Sequence, residues 1–180
     1  MEPTELDAWL PAPTIRTRHR GTAAADLDRL WAAAGAVRLD DTRSIGRLVQ
    51  WRIPDTPGDQ TFRELLSRYP FTVLSEGEHW LLSGLCGRIW TVTRDYPRLA
   101  TADDFRRWHA RGTVRVLFAH WVEPAGPGRS ALVSEARVQP VDRRAELALR
   151  GLWLAIGAFE RLIGAEPVNL ATRRAEQAAR

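Results

Sequence analysis

The feature of the sequence that most constrains the fold is a long amphipathic segment near the C-terminus, residues 142–163. At about 100° per residue its apolar side chains fall on one helical face and three arginines on the opposite face. We predict a helix over residues 142–164, because Asp142 can cap its start and Gly164, followed by Pro167, is typical of a helix end. A polar helical tail is expected to follow. The apolar face comprises Ala145, Leu149, Leu152, Ile156, Phe159 and Ile163, and the polar face comprises Arg143, Arg150 and Arg161.

A helix with one apolar stripe must bury that stripe, and the segments before it predict a β-sheet as its partner. Alternating or β-rich runs predict strands over residues 14–20, 71–76, 79–86, 88–93, 113–123 and 130–139. Helical spacing predicts helices over residues 22–34, 61–69 and 101–111, while residues 44–53 suit either a helix or a strand. This order is α+β, and we expect a curved antiparallel sheet around the C-terminal helix with a cavity between them.

Length and composition limit the number of domains and the possible partners. The 180 residues fit a single domain over residues 14–180, preceded by a proline-containing N-terminal arm over residues 1–13. All 26 basic residues are arginine, but the net charge of +4 is weak for counterion-driven binding of nucleic acid. We therefore expect a monomer or homodimer that binds no nucleic acid.

The sequence also argues against several other classes of site. The one cysteine allows no intramolecular disulfide, no lysine is present for a Walker loop, and the four histidines show no ligand spacing. The longest apolar-rich stretch, residues 151–159, is too short to span a bilayer, and the acidic N-terminus is unlike a secretory signal. We expect a cytoplasmic protein without a metal, a cofactor or integral membrane association.

Three segments resemble a bacterial branch of the SRPBCC superfamily, which has the START-like or helix-grip fold. They are residues 81–90, residues 122–138, and parts of the terminal helix at 153–157 and 162–163, within a resemblance that covers roughly residues 14–176. The resemblance implies a deep hydrophobic cavity between the sheet and the C-terminal helix. Members of the superfamily range from lipid carriers to polyketide aromatase/cyclases. The chain lacks the histidine and carboxylate spacing of the iron-containing oxygenase branch.

Polar residues on the predicted strands are the candidate catalytic groups. Alternation over residues 113–123 places His120 on the inward face together with Val114, Val116, Phe118 and Val122. On residues 130–139 the inward set is Leu132, Ser134, Ala136 and Val138, so that Glu135 and Arg137 point outward unless a bulge exchanges the faces. Arg88 shares a strand face with Trp90, and whether that face points inward is left open. If the protein is an enzyme, His120 is the predicted general acid or base, with Glu135 or Arg88 orienting the substrate.

Aromatic residues are the candidate walls of the cavity. Eight tryptophans are present against two tyrosines, and wide flat side chains suit a planar ligand. The short helix predicted at residues 101–111 is a candidate lid, with Trp108 at its centre. The predicted ligand-binding residues are Trp90, Trp108, His109, Val116, Phe118, Leu152, Trp153 and Ile156.

Three functional hypotheses follow from these patterns. The leading hypothesis is that the cavity binds a hydrophobic or aromatic small molecule. The alternative is a cofactor-independent cyclase, lyase or isomerase that acts on a polyketide-like or terpenoid-like substrate in natural-product biosynthesis. A third hypothesis, a protein-interaction module, requires a filled core without a cavity.

Overall fold

The computed structural model describes residues 3–53, 55–91 and 96–178, without the side chains of residues 3, 4, 52 and 154–164. The helices are α1 (Pro3–Trp9), α2 (Leu27–Gly35), α3 (Ile45–Arg52), α4 (Phe62–Leu66), α5 (Ala102–Arg107) and α6 (Arg143–Gln177). The strands are β1 (Ile15–Ala23), β2 (Thr72–Gly77), β3 (Trp80–Gly87), β4 (Val114–Pro124) and β5 (Ser130–Pro140). None of the helices in the described part of the chain is long and apolar enough to cross a membrane.

The five strands form one antiparallel sheet in the order β1-β5-β4-β3-β2. Helix α6 packs against β1, β5 and α2 on one face of this sheet, which we call the inner face. The predicted α+β fold, with an antiparallel sheet and a long C-terminal helix, is confirmed. The arrangement of a sheet around its last helix is that of a helix-grip fold.

Helix α6 starts where the sequence predicts and ends later. The Asp142 side chain accepts a hydrogen bond of 2.9 Å from the backbone N–H of Ala145, which caps the first turn. The predicted end at residue 164 is wrong, because the helix continues through Pro167 to Gln177. An interior proline costs about 3 kcal/mol. Burial of the following turns offsets this cost, because the predicted polar tail in fact buries Val168, Ala171 and Ala175 against α2 and the sheet.

The opposite face of the sheet, the outer face, is also covered. Leu117, Ala119 and Trp121 of β4 pack there in a core that contains Leu6 and Phe105 from helices α1 and α5. The N-terminal arm therefore carries a helix that the sequence analysis did not predict. Two layers of side chains, one on each face, explain why both sets of alternating residues on β4 are mostly buried.

The strand predicted over residues 88–93 is wrong. Strand β3 ends at Gly87, whose φ of 143° is strained for any other residue, and residues 88–91 form a turn and irregular backbone. Residues 92 and 93 lie outside the described residues. Elsewhere the ambiguous segment 44–53 contains helix α3, and the predicted capping box at Thr101 and Asp104 is confirmed.

Candidate functional site

An apolar pocket of about 280 Å³ lies between the inner face of the sheet and helices α2, α3, α4 and α6. Strands β1, β3, β4 and β5 supply its floor. The three helices α2, α3 and α4 supply most of its walls, and Pro167 and Val168 of α6 complete it. The apolar lining includes Trp31, Val49, Phe62, Phe71, Phe118 and Leu132. We call this space the inner pocket.

One row of polar side chains crosses the floor of the inner pocket. Ser134 on β5 is paired with His19 on β1 and with His120 on β4, and all three residues line the pocket. Directly paired residues on neighbouring antiparallel strands have Cβ atoms about 4.5–5.5 Å apart. The three side chains therefore form one continuous polar row, which we call the His19–Ser134–His120 row.

The sequence analysis placed His120 and Ser134 on the inward face, and both lie there. It did not single out His19. The signal in the sequence is weak. His19 alternates with Ile15 and Thr17 onto one face of β1, but only the two end residues of this strand, Ile15 and Ala23, are hydrophobic. Pairing of β1 with β5, which sequence patterns do not reveal, brings His19 to the row.

Burial controls the protonation of His120. The ring lines the pocket, but its Nε2 atom is buried and has no hydrogen-bond partner among the described residues. Burial lowers the pKa of His120 to about 4, so the imidazole is neutral at pH 7. A neutral imidazole can either donate or accept at Nε2, depending on its tautomer. His120 therefore has one hydrogen-bonding atom beside the inner pocket that no described residue engages.

Glu135 lies on the opposite side of the sheet from His120. The pairing of β5 with β1 and with β4 is regular, so no bulge exchanges the faces. The Glu135 carboxylate is buried on the outer face and accepts a hydrogen bond of 2.6 Å from Arg137 Nε. The prediction that Glu135 assists His120 is therefore wrong, because the sheet separates the two side chains.

Arg88 and Trp90 line a different pocket, at the N-terminus of α6. This space of about 580 Å³ is lined by Arg88, Trp90, Thr91, Arg111, Gly112, Asp142, Arg143 and Arg144. The Asp142 carboxylate in it is engaged by the backbone N–H groups of Ala145 and Gly112, which lower its pKa. Arg88 is not in the described lining of the inner pocket, so its predicted role beside His120 is wrong: the turn after Gly87 directs it elsewhere.

The predicted lid residues Trp108 and His109 are also remote from the inner pocket. Helix α5 packs against β2 and β3 on the outer face, where Phe105 fills the space above Gly84. Trp108 packs against this outer core and donates its Nε1–H to Thr113 Oγ1 at 2.9 Å. His109 is exposed, with Nδ1 2.7 Å from the carbonyl oxygen of Arg107. The lid prediction is wrong because α5 packs into the core on the outer face of the sheet, away from the inner pocket.

The remaining predicted ligand-binding residues divide into three groups. Phe118 lines the inner pocket. Val116 and Trp153 belong to the adjoining inner core, in which Phe118 and Phe71 meet edge to face with ring centroids 5.6 Å apart. Leu152 is half-buried on α6 and is not among the described lining residues, and the side chain of Ile156 lies outside the described residues.

Helix α3 forms a wall that the sequence analysis left ambiguous. Ile45 and Val49 of α3 line the inner pocket. The Glu166 carboxylate of α6 accepts backbone hydrogen bonds at the start of this helix, from Arg43 at 2.5 Å, Ser44 at 3.1 Å and Ile45 at 3.4 Å. Burial alone raises the pKa of Glu166, but these three donors outweigh it and lower the pKa. Glu166 thus links α3, which forms one wall of the pocket, to α6 through hydrogen bonds.

One surface group in the described part of the chain brings three potential metal ligands together. Asp28, Glu78 and His79 have ligand atoms within 4.8 Å of one another. His79 Nε2 lies 2.6 Å from Asp28 Oδ1, and the Asp28 side chain is 86% exposed. The contact between Asp28 and His79 is a surface hydrogen bond between α2 and the β2–β3 turn.

The geometry defines an α+β protein of helix-grip arrangement with an apolar pocket crossed by one polar row. No family model matches the chain, and no curated protein matches it. Two solved structures align with 92% of the chain. TTHA0849 from Thermus thermophilus is 9% identical, with a TM-score of 0.37 over 100% of that chain. The Zhui aromatase/cyclase from Streptomyces sp. R1128 is 16% identical, with a TM-score of 0.34 over 96% of that chain. At these values the likeness is distant and assigns neither a ligand nor a reaction.

Proposed function

We propose that the protein binds a compact hydrophobic or aromatic small molecule in the inner pocket. The observation that carries this proposal is an apolar pocket of about 280 Å³ whose floor is crossed by the His19–Ser134–His120 row. Small-molecule sites are mostly apolar, with a few placed polar groups, and have volumes of about 300–1,000 Å³. A volume at the lower limit of this range favours a ligand no larger than a bicyclic aromatic compound.

The same arrangement supports membership of the SRPBCC superfamily, which we propose together with a cytoplasmic location and a monomeric or homodimeric state. The order of elements, with a sheet preceding one long C-terminal helix, is consistent with that membership. The sequence segments that resemble a bacterial branch of the superfamily form β3, the β4–β5 hairpin and α6. These three proposals do not identify the ligand, whose size and polarity we infer from the inner pocket alone.

The binding proposal is tested first by native mass spectrometry of the purified protein, which detects a small molecule that stays bound. Titration with naphthalene, followed by tryptophan fluorescence and calorimetry, then measures affinity directly. Ala136 lies on the pocket floor, so Ala136→Phe fills the pocket and is expected to abolish naphthalene binding. Ala8→Phe, at an exposed position of α1, is the matched control and should bind as the wild type does.

Absence of naphthalene binding, together with absence of a retained molecule, would refute the proposal. Equal binding by Ala136→Phe and the wild type would show that naphthalene binds elsewhere on the protein. Both results are read against the thermal stability of each variant, so that an unfolded variant is not counted as a loss of binding.

The alternative is a cofactor-independent cyclase, lyase or isomerase for a polyketide-like or terpenoid-like substrate. Two histidines and a hydroxyl on one row inside an apolar pocket favour it, because such groups can stabilise a developing oxyanion. A pKa of about 4 argues against His120 as a general acid or base near pH 7, where catalysis favours a pKa close to the working pH. Binding is therefore the better-supported function. Turnover of a polyketide-like substrate by the wild type, abolished in His120→Phe, would support the enzyme instead.

A further inference from the structure

We infer that the ligand of the inner pocket presents an uncharged oxygen, a hydroxyl or a carbonyl, to the His19–Ser134–His120 row. The inference rests on the proposed binding function and narrows the chemical class of the ligand to an apolar ring compound with one neutral oxygen substituent. It concerns which end of the ligand meets the floor of the pocket.

The first support is the concentration of polar groups in one row. On one side along the strands lies the row of Ala136 and Phe118, which ends at Thr17 on β1, and on the other side lies the row of Leu132 and Val122. Rows that share a face are about 6.6–6.8 Å apart, since each residue advances a strand by about 3.3–3.4 Å. The His19–Ser134–His120 row is thus the one row of the described strand floor with three polar side chains, and the neighbouring rows on β4 and β5 offer apolar side chains to the ring system.

The second support is the chemistry of the groups in the row. Ser134 can donate or accept through its hydroxyl, and a neutral imidazole at His120 can donate or accept at Nε2. His120 Nε2 is buried and has no partner among the described residues. A buried polar atom without a hydrogen bond is unfavourable, so a ligand oxygen that bonds to it gains affinity relative to a hydrocarbon.

The third support is the position of the one arginine among the described lining residues. Burial favours the neutral form of His120, and the cation among the described lining residues is Arg63. The Arg63 guanidinium stacks over Trp31, 5.6 Å from the ring centroid, and lies 3.9 Å from the Glu76 carboxylate. Its side chain is 47% exposed, so it belongs to the rim. A carboxylate buried beside His120 would lose its hydration without reaching the Arg63 guanidinium, which is unfavourable.

The experiment compares three bicyclic probes of similar size: naphthalene, 2-naphthol and 2-naphthoate. At pH 7 the phenolic hydroxyl is protonated and the carboxylate is ionised. Calorimetry on the wild type is expected to show 2-naphthol binding about tenfold more tightly than naphthalene, the upper range for one net hydrogen bond. We expect 2-naphthoate to bind more weakly than naphthalene.

Two variants locate the hydrogen bond. His120→Phe and Ser134→Ala should each abolish the preference for 2-naphthol over naphthalene, so that the ratio of the two affinities falls from about ten to about one. His109→Phe, at an exposed histidine on the other side of the sheet, is the matched control and should retain the full preference. Ser134→Ala removes only one atom, so it tests the inference even if the phenylalanine variant folds poorly.

The outcomes separate the inference from the function on which it rests. Equal binding of naphthalene and 2-naphthol by the wild type, or tightest binding of 2-naphthoate, overturns the inference and leaves small-molecule binding intact. A preference for 2-naphthol that survives undiminished in either pocket variant, provided that the variant is folded, also overturns it. If none of the three probes binds, the inference falls together with the proposed function.

Discussion

Arg137 donates a hydrogen bond of 2.6 Å from Nε to Glu135 Oε1, and the two side chains are 1% and 0% exposed. Both lie on the outer face of β5, two residues apart. Arg16 of β1 makes a second contact with Glu135 at 2.8 Å, and Arg137 also pairs with Asp7 of α1. This ionic cluster joins the N-terminal helix to the sheet and is separated from the inner pocket by the sheet itself.

We predict that Arg137→Met destabilises the protein strongly. The substitution leaves Glu135 buried with only the half-exposed Arg16 as a partner, and breaking a buried pair costs about 3–5 kcal/mol. The double variant Glu135→Leu with Arg137→Met removes both buried charges and should recover part of the loss. Urea denaturation of the two variants provides the comparison. A double variant that is less stable than the single variant would contradict this account.

Local patterns in the sequence predict most elements of the fold, because helix and strand periodicity depends on neighbouring residues. The antiparallel hairpin of β4 and β5, the start of α6 at Asp142 and the capping box at Thr101 all follow from such patterns. The end of α6 does not, because its continuation through Pro167 depends on packing against α2.

The candidate site divides in the same way. Alternation along β4 was sufficient to place His120 on the inner face, since side chains change face at every residue. Nothing local reveals that β1 pairs with β5, so His19 was not singled out. Nothing local reveals either that α1 and α5 cover the outer face, and this cover is why the lid prediction for Trp108 was wrong.

Protonation of His120 should make the protein less stable in mild acid. Burial lowers its pKa from 6.5 to about 4, so the native state binds fewer protons than the unfolded state between these values. Stability therefore falls as the pH drops from 6.5 to 4, by about 3 kcal/mol from this one group.

The measurement is urea denaturation at pH 7 and at pH 4 for the wild type and His120→Phe. The variant lacks the titrating group, so its stability should fall less than that of the wild type over this interval. Parallel losses in the two proteins would show that His120 is not held neutral by the fold. His109→Phe, at an exposed histidine, controls for the removal of an imidazole.

Trp108→Ala should lower stability without changing the affinity for naphthalene. Trp108 packs on the outer core and donates to Thr113 Oγ1, so its removal leaves a gap under α5 and breaks one hydrogen bond, while the Thr113 hydroxyl keeps its bond to the Ala110 carbonyl oxygen. A fully buried tryptophan costs about 3–5 kcal/mol on truncation, and we expect about 2–3 kcal/mol for this partly buried one. If the variant remains folded and binds naphthalene more weakly, Trp108 contributes to ligand binding and this account is wrong.

Glu166 should control how firmly α3 closes the wall of the inner pocket. Its carboxylate accepts three backbone N–H groups at the start of α3, and a glutamine in its place has one acceptor oxygen and no charge. We predict that Glu166→Gln increases hydrogen exchange of the α3 amides by about fivefold, which corresponds to about 1 kcal/mol of lost local stability. Because Ile45 and Val49 of α3 line the pocket, the affinity for naphthalene should fall together with the local stability of α3.

Acid should have the same effect on the wild type. The pKa of Glu166 is lowered in the folded state, so its stabilisation of α3 is complete above the ordinary carboxyl pKa and is lost as the pH falls through the lowered value. After correction for intrinsic exchange rates, α3 of the wild type should therefore approach the behaviour of Glu166→Gln in acid. Glu146→Gln, which breaks the contact with Arg150 on the same helix, is the control and should leave α3 unchanged. Equal protection of α3 in Glu166→Gln and the wild type would mean that packing alone, without the carboxylate, holds this wall against the pocket.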